Sequence, residues 1–327
     1  MNLLHNPHIQ TILPSVFRLP PKIKYHRVTI PTPDNDFIDL DWSKINENKN
    51  CNKLAILIHG LEGASGGAYI KNSIAKLRSL NYDAVAMNLR GCSGRANLLV
   101  KSYHSGKSED LATVIEHIFD TEDYTEITLI GFSVGGNIIL KYLGEQGDKL
   151  DPRIKKAVSF SAPIDLECCA NALARPECKI YMKYFLNKLY KKVRVKEKMF
   201  PYLIDSRDFL DIENFHEYDK CYTAPLNGFE DEVDYWHKAS SKPWLTKIAI
   251  PTLLLVAKDD PFLGPRCYPY DEAKANSNLH LRVTEHGGHV GFWELEFHNF
   301  IPKVEFYYEQ YMIDFLKTDI PAFVKAN

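Results

Sequence analysis

Thr128-Leu129-Ile130-Gly131-Phe132-Ser133-Val134-Gly135-Gly136-Asn137-Ile138-Ile139-Leu140 is the stretch from which the fold can be read. Ile127 to Ile130 is a short, mostly apolar run of the kind that forms a buried strand. Gly131-Phe132-Ser133-Val134-Gly135 follows, and Asn137 to Leu143 has helical spacing. Strand, tight turn and helix is the setting in which G-x-S-x-G becomes a nucleophile elbow. There the serine sits on strained backbone with its hydroxyl turned outward. A side chain two residues to either side would meet the neighbouring strand or helix. Outside that setting the same five residues make a plain glycine-rich β–α turn.

Working outward, strands and helices alternate. Lys53 to His59 reads as a buried strand, followed by the glycine-rich loop Gly60-Leu61-Glu62-Gly63-Ala64-Ser65-Gly66-Gly67 and a helix over Ala68 to Leu80. Asp83 to Leu89 is a strand that runs into Arg90-Gly91-Cys92-Ser93-Gly94, and Ser108 opens a helix reaching Phe119. Ala157 to Ser161, Ile250 to Ala257 and Leu279 to Val283 are further strands, and Val304 to Leu316 reads as a closing helix. This alternation predicts the α/β class, with a mostly parallel, doubly wound sheet. Tyr25 to Pro31 and Phe37 to Trp42 alternate apolar and polar around Pro33-Asp34-Asn35-Asp36, which predicts a hairpin and its turn rather than a calcium loop. Asn46 to Asn52 is a polar loop. Residues 1–22, broken by prolines, are expected to form an extended arm or short helix across the domain. Residues 165–243 show no strong strand and read as helical. An insertion between core strands, over the carboxyl edge of a sheet, is how a cap is built. The expected organisation is an arm at 1–22 and one domain at 23–327, with a cap insertion at about 165–243.

Composition removes several classes of function. Of 327 residues, 45% are apolar and 25% charged, which is ordinary globular usage. A net charge of −2 provides no field for nucleic acid. Seven cysteines with no C-x-x-C pair argue against a disulfide framework or a zinc knuckle, and for a reducing, cytoplasmic setting. No signal peptide is visible, and no apolar run approaches the ~18 residues of a membrane span.

A serine hydroxyl is a poor nucleophile without a base, and the base needs an acid to orient it. The elbow architecture predicts the order Ser, Asp or Glu, His. Lys258-Asp259-Asp260-Pro261-Phe262 follows one strand, and Glu285-His286-Gly287-Gly288-His289-Val290-Gly291-Phe292 follows the last. Both loops leave carboxyl strand ends, the same edge as Ser133. His289 is preferred to His286 because two glycines before it let the loop lower its ring onto Ser133. Asp260 is preferred to Asp259 because Pro261 keeps it extended. Asp259 is then a loop-capping carboxylate and His286 a surface histidine. A zinc site at His286 and His289 lacks a third ligand at metal spacing, so no metal is expected. The Val134 amide, after the nucleophile, and the Leu61 amide, in the loop after His59, are the expected oxyanion donors. Glu62 should then point away from that oxygen, and His59 should hydrogen-bond within its loop.

At this point the motifs are similar to those of a known family. Asn6-Pro7-His8-Ile9-Gln10-Thr11, His59-Gly60-Leu61-Glu62-Gly63, Asn88-Leu89-Arg90-Gly91-Cys92-Ser93-Gly94, Tyr103-His104-Ser105-Gly106 and the elbow carry the first half. Ser161-Ala162-Pro163-Ile164-Asp165-Leu166, Thr223-Ala224-Pro225-Leu226-Asn227-Gly228-Phe229, Asp259-Asp260-Pro261-Phe262 and Gly287-Gly288-His289-Val290-Gly291-Phe292 carry the second. Together they resemble the YheT-like branch of the α/β-hydrolases, which eukaryotes share as membrane-anchored esterases and phospholipases. The resemblance implies a Ser-Asp-His hydrolase of carboxylic esters without a cofactor, with Ser133, Asp260 and His289 at the triad positions. The chain opens at the first motif, as bacterial members do, which implies a soluble protein. The Arg90–Gly94 and Tyr103–Gly106 motifs are expected to form a tight turn and a loop that shape the pocket floor, in preference to touching substrate directly.

Lys179 to Phe200 interleaves apolar residues with eight Lys or Arg. A cap helix with its lysines in water is favoured over an interfacial helix that meets a membrane surface, because the whole chain is not basic. Met182, Phe185, Leu186 and Leu189 share one face and are expected to wall the pocket, favouring an apolar acyl substrate. A thioesterase or acyltransferase with the same triad, or a non-catalytic binding protein on this scaffold, remain alternatives. Oligomeric state is not legible.

Overall fold

The structure, a computed structural model, describes residues 3–45, 51–298 and 301–318. Residues 46–50 of the expected polar loop and the first two residues of the arm lie outside the described residues. The chain begins with helix α1 (Pro7–Phe17) and the hairpin β1 (His26–Pro31) and β2 (Phe37–Ser43). Alternation follows: β3 (Lys53–Ile58), α2 (Ala68–Ser79), β4 (Asp83–Asn88), α3 (Ser108–Thr121), β5 (Glu126–Phe132), α4 (Val134–Gln146) and β6 (Ile154–Phe160). Helices then take over: α5 (Leu166–Leu173), α6 (Lys179–Met199), α7 (Phe215–Tyr218), α8 (Ala224–Asn227) and α9 (Glu232–Ala239). The sheet resumes with β7 (Thr252–Ala257), α10 (Tyr270–Ala275) and β8 (Leu279–Thr284). A hairpin, β9 (Trp293–His298) and β10 (Ile301–Phe306), precedes α11 (Tyr307–Lys317).

Eight strands pair in the order β1-β2-β4-β3-β5-β6-β7-β8. All pairs from β4 to β8 are parallel, and β2 joins β4 antiparallel. β3, β5 and β6 sit in the middle and are buried along almost their whole length, as strands covered on both faces must be. Alternate residues divide between two cores. Ile56, Leu129 and Leu254 pack with Val114 of α3 and Ile138 of α4, while Leu57, Ile130 and Leu253 pack with Ile70 of α2 and Phe315 of α11. A third cluster joins α5, α6 and α9 above the sheet's carboxyl edge.

The β9–β10 hairpin corrects the expected helix over Val304 to Leu316. Trp293-Glu294-Leu295-Glu296-Phe297-His298 alternates with period two, and Val304 pairs with Leu295 in an antiparallel ladder. The Tyr307 amide donates to Phe292 O at 2.9 Å, and the helix starts only there.

The β1–β2 turn is held by charge. Arg90 is buried and donates two bonds to Asp110, at 2.8 and 2.6 Å, and reaches Asp34 at 2.9 Å and Asp36 at 3.2 Å. Its guanidinium therefore ties the turn to α3 rather than flooring the pocket. Burial opposes charge on Asp34 and Asp36. Hydrogen bonds from Arg90, Lys101 and Thr32 to the first, and from Asn97 and the Leu98 and Phe37 amides to the second, still hold both below the ordinary carboxyl range. A carboxyl lowered on folding stabilises above its unfolded value, and that contribution is lost as pH falls through the folded value. Arg90→Met, which strands buried carboxylates, should cost about 3–5 kcal/mol at pH 7. Wild-type stability should fall as pH drops below about 4, with a shallower fall in the variant. Urea unfolding at several pH values checks both, and parallel profiles would contradict the account.

Candidate active site

Ser133 occupies the one-residue junction between β5 and α4, at φ 51° and ψ −119°. A residue with a Cβ takes that backbone only where its surroundings impose it. The neighbours of the junction leave no room for side chains. A Cβ on Gly131 would lie 2.5 Å from the backbone of Gly135, and one on Gly135 would lie 2.3 Å from Ile58 O. The helix can thus start at Val134 and turn the serine hydroxyl into a cavity.

His289 reaches that hydroxyl. Ser133 Oγ lies 2.9 Å from His289 Nε2, and His289 Nδ1 lies 2.9 and 3.1 Å from the two oxygens of Asp260. The carboxylate accepts from Nδ1–H, which leaves Nε2 to accept from the serine hydroxyl. Asp260 is buried, takes a further bond from the Phe262 amide at 2.9 Å, and is shielded by the Phe262 ring stacked 4.1 Å from the imidazole. Asp259 instead accepts from the Gly288 amide at 2.9 Å, and its carboxyl is pushed up, chiefly by burial. His286 is half exposed, 3.3 Å from Asp259. The structure thus brings Ser133, His289 and Asp260 together and sets Asp259 and His286 beside them.

Leu61 and Val134 both line the cavity beside Ser133. A Cβ on Gly60 would lie 3.1 Å from Ser133 Cβ, so the loop after β3 runs against the serine. Among the described residues, neither the Leu61 nor the Val134 N–H has a hydrogen-bond acceptor. Glu62 turns its carboxylate to Tyr103 and Lys192. His59 bonds Gly60 O at 2.7 Å through Nδ1 and accepts from the Leu89 amide at 3.1 Å. Burial lowers that ring to about 4, so it stays neutral and structural.

Of the four α6 residues expected on the wall, Phe185 and Leu189 line the cavity. Met182 and Leu186 pack into the α5–α6–α9 cluster instead. The four share one face, but only its Phe185–Leu189 edge meets the cavity. Three of the lysines expected in water point inward. Lys188 donates to Glu62 O at 3.1 Å, Lys192 meets Glu62 at 2.8 Å, and Lys196 donates to Asn97 O at 2.8 Å and also to Leu99 O. Burial lowers Lys196 to about 8. No metal-holding cluster of His, Cys, Asp and Glu occurs among the described residues.

The first motif proves to seat the histidine loop. Asn6 caps α1, accepting from the His8 and Ile9 amides, and Pro7 takes the first helical position. Thr11 Oγ1 accepts from the His289 amide at 2.9 Å. Pro14, inside α1, has no N–H for Gln10 O, and that oxygen accepts from Trp293 Nε1 at 3.2 Å instead. The Gln10 side chain pairs with the Trp293 backbone in both directions. The loop can approach so closely because Gly288 (φ 53°) and Gly291 lack side chains. Cβ atoms there would lie 2.6 Å from Pro7 O and 2.1 Å from Gln10 O. No local signal in residues 6–14 announces this; only the positions of the two segments in space do.

A mostly parallel eight-stranded sheet with an elbow serine, and an acid and a histidine on later strand ends, defines an α/β-hydrolase. The chain belongs to the Hydrolase_4 family (serine aminopeptidase, S33), which matches residues 49–296, and within it to the YheT-like branch. It is 32% identical over 289 residues to YheT of Escherichia coli (strain K12), covering 88% of this chain and 84% of that one. It is 32% identical over 292 residues to phospholipase ABHD3 of Homo sapiens, covering 87% and 71%. The fold is also that of the Pyrococcus furiosus esterase Pf2001, with a TM-score of 0.57, 21% identity and coverage of 91% and 96%.

Thr11→Val keeps the shape but leaves the partly buried His289 amide without an acceptor. A loss of about 1–3 kcal/mol in unfolding free energy is expected. An unchanged melting temperature would show that α1 does not hold the loop.

Proposed function

We propose that this protein cleaves carboxylic esters with an apolar acyl part through an acyl-enzyme. The observation that carries the reading is the unbroken chain Asp260–His289–Ser133, with 2.9 Å contacts, opening on a cavity walled by residues such as Leu61, Val100, Leu173, Phe185, Leu189 and Val193. Relatives named as esterase and phospholipase support the ester as the bond cleaved.

Ser133 Oγ attacks the ester carbonyl as its proton passes to His289 Nε2. Asp260 holds the ring in the productive tautomer and stabilises the imidazolium. The Leu61 and Val134 amides receive the oxyanion, aided by the positive end of α4. His289 returns the proton to the departing alkoxide, and water then repeats the sequence on the acyl-enzyme. Residues 165–243 act as the cap that selects the acyl group, and no cofactor takes part. No helix among the described residues is long and apolar enough to cross a membrane.

Ser133→Ala should abolish turnover of p-nitrophenyl esters without changing the circular dichroism spectrum, and Asp260→Asn should lower kcat by roughly 10⁴-fold. A fluorophosphonate probe should label Ser133 in native protein. Absence of label favours a binding protein on a hydrolase scaffold. Faster turnover of acyl thioesters, or transfer to added alcohols, would move the assignment to a thioesterase or acyltransferase.

A further inference from the structure

Glu62 follows directly on Leu61, the residue whose amide is assigned to the oxyanion. Its backbone lies in the left-handed region, at φ 52°, which a side chain with a Cβ disfavours. Four hydrogen bonds keep it there. Its N–H donates to the Tyr103 hydroxyl oxygen at 2.9 Å, and that hydroxyl donates to Glu62 Oε1 at 2.8 Å. Its carbonyl accepts from Lys188 Nζ at 3.1 Å, and Oε1 accepts from Lys192 Nζ at 2.8 Å. The Glu62 side chain is 5% exposed and that of Lys192 23%, so little water competes for the pair. Lys192 Nζ also lies 4.8 Å above the Tyr103 ring and 3.1 Å from Cys92 Sγ. Both lysines come from one face of α6, one turn apart, and Phe185 and Leu189 of the same helix line the cavity. The helix that walls the cavity therefore also grips the loop that carries the Leu61 amide.

We propose that Lys192, assisted by Lys188, is a positioning residue: through Glu62 the cap helix holds the Leu61 amide where the oxyanion forms. Two effects act together. The clamp fixes the direction of the N–H, and the ammonium neutralises a carboxylate that would otherwise face the developing negative charge. The ester carbonyl of the ground state carries little charge, so both effects fall on the transition state. They should appear in kcat and leave KM nearly unchanged. Seating of the cap and competence of the oxyanion site become one event, which ties turnover to an acyl group that keeps α6 in place.

The inference rests on the hydrolase reading given above, and the experiment separates the two. Lys192→Met keeps the stem and removes the charge. With a p-nitrophenyl ester its kcat should fall roughly tenfold or more, while KM moves by less than about twofold. Affinity for a trifluoromethyl ketone, whose hemiketal oxygen occupies the oxyanion site, should fall in step with kcat. Lys192→Arg should recover most of both. An unchanged kcat, a loss confined to KM, or an Arg variant as impaired as the Met variant would overturn the proposal. If Lys192→Met does not fold, Lys188→Met removes only the carbonyl bond. It should lower kcat at least threefold at constant KM, and an unaltered kcat there is equally decisive against the clamp. Wild-type protein that neither turns over the ester nor takes the fluorophosphonate label counts against the hydrolase reading. An active, labelled wild type with an unimpaired Lys192→Met counts against the clamp alone.

Discussion

The backbone at Ser133 is the constraint on which the rest of the structure depends. A residue at φ 51° and ψ −119° is held only if strand and helix are pressed together around it. That requires β5 at the centre of the sheet, α4 backed onto β3, and glycine at positions 131 and 135. The strain, of order 1–3 kcal/mol, is offset by a helix whose first eleven residues are all buried. Once the serine is fixed at the carboxyl edge, the loops after β3, β7 and β8 must converge on it. Their lengths and glycines are understood as answers to that demand.

Charged groups near the site mostly hold loops rather than do chemistry. Arg90 binds the β1–β2 turn to α3, and Lys196 threads into the carbonyls of Asn97 and Leu99. An ammonium taken out of water needs acceptors, and loop carbonyls and carboxylates supply them. The insertion above the sheet is thus joined to the core domain by directional, polar contacts as well as by apolar packing.

The fold and the convergence of Ser133, Asp260 and His289 were legible because each depends on local signals. Apolar runs mark strand ends, and this chemistry sits on the loops just beyond them. The lysines of α6 were misread because helical periodicity sorts residues by polarity. It cannot know that Glu62 and Asn97 would offer acceptors on the inner side. The role of Arg90 is hidden for the same reason: its three carboxylates lie 20 to 56 residues away, while the turn that follows it and the Tyr103–Ser105 wall of the cavity are as expected. The β9–β10 hairpin was legible after all, since Trp293 to His298 alternates. The apolar spacing of α11 extends backwards through Val304 and masks it. The role of α1 was hidden, since Asn6 and Pro7 announce a helix start but not what the helix lies against.

The bonds from Thr11 to His289 and from Gln10 to Trp293 join residues 278 and 283 positions apart. Closing a loop costs entropy that grows slowly with its length, so these contacts carry a higher closure cost than local ones. The strands of the sheet pair over shorter separations, 73 residues between Lys53 and Glu126 and 95 between Ala157 and Thr252. The support of the histidine loop therefore rests on contacts more distant along the chain than those of the sheet and the elbow. His289 thus depends on the opening helix for its seat, and a chain without α1 docked lacks the Thr11 acceptor for the His289 amide.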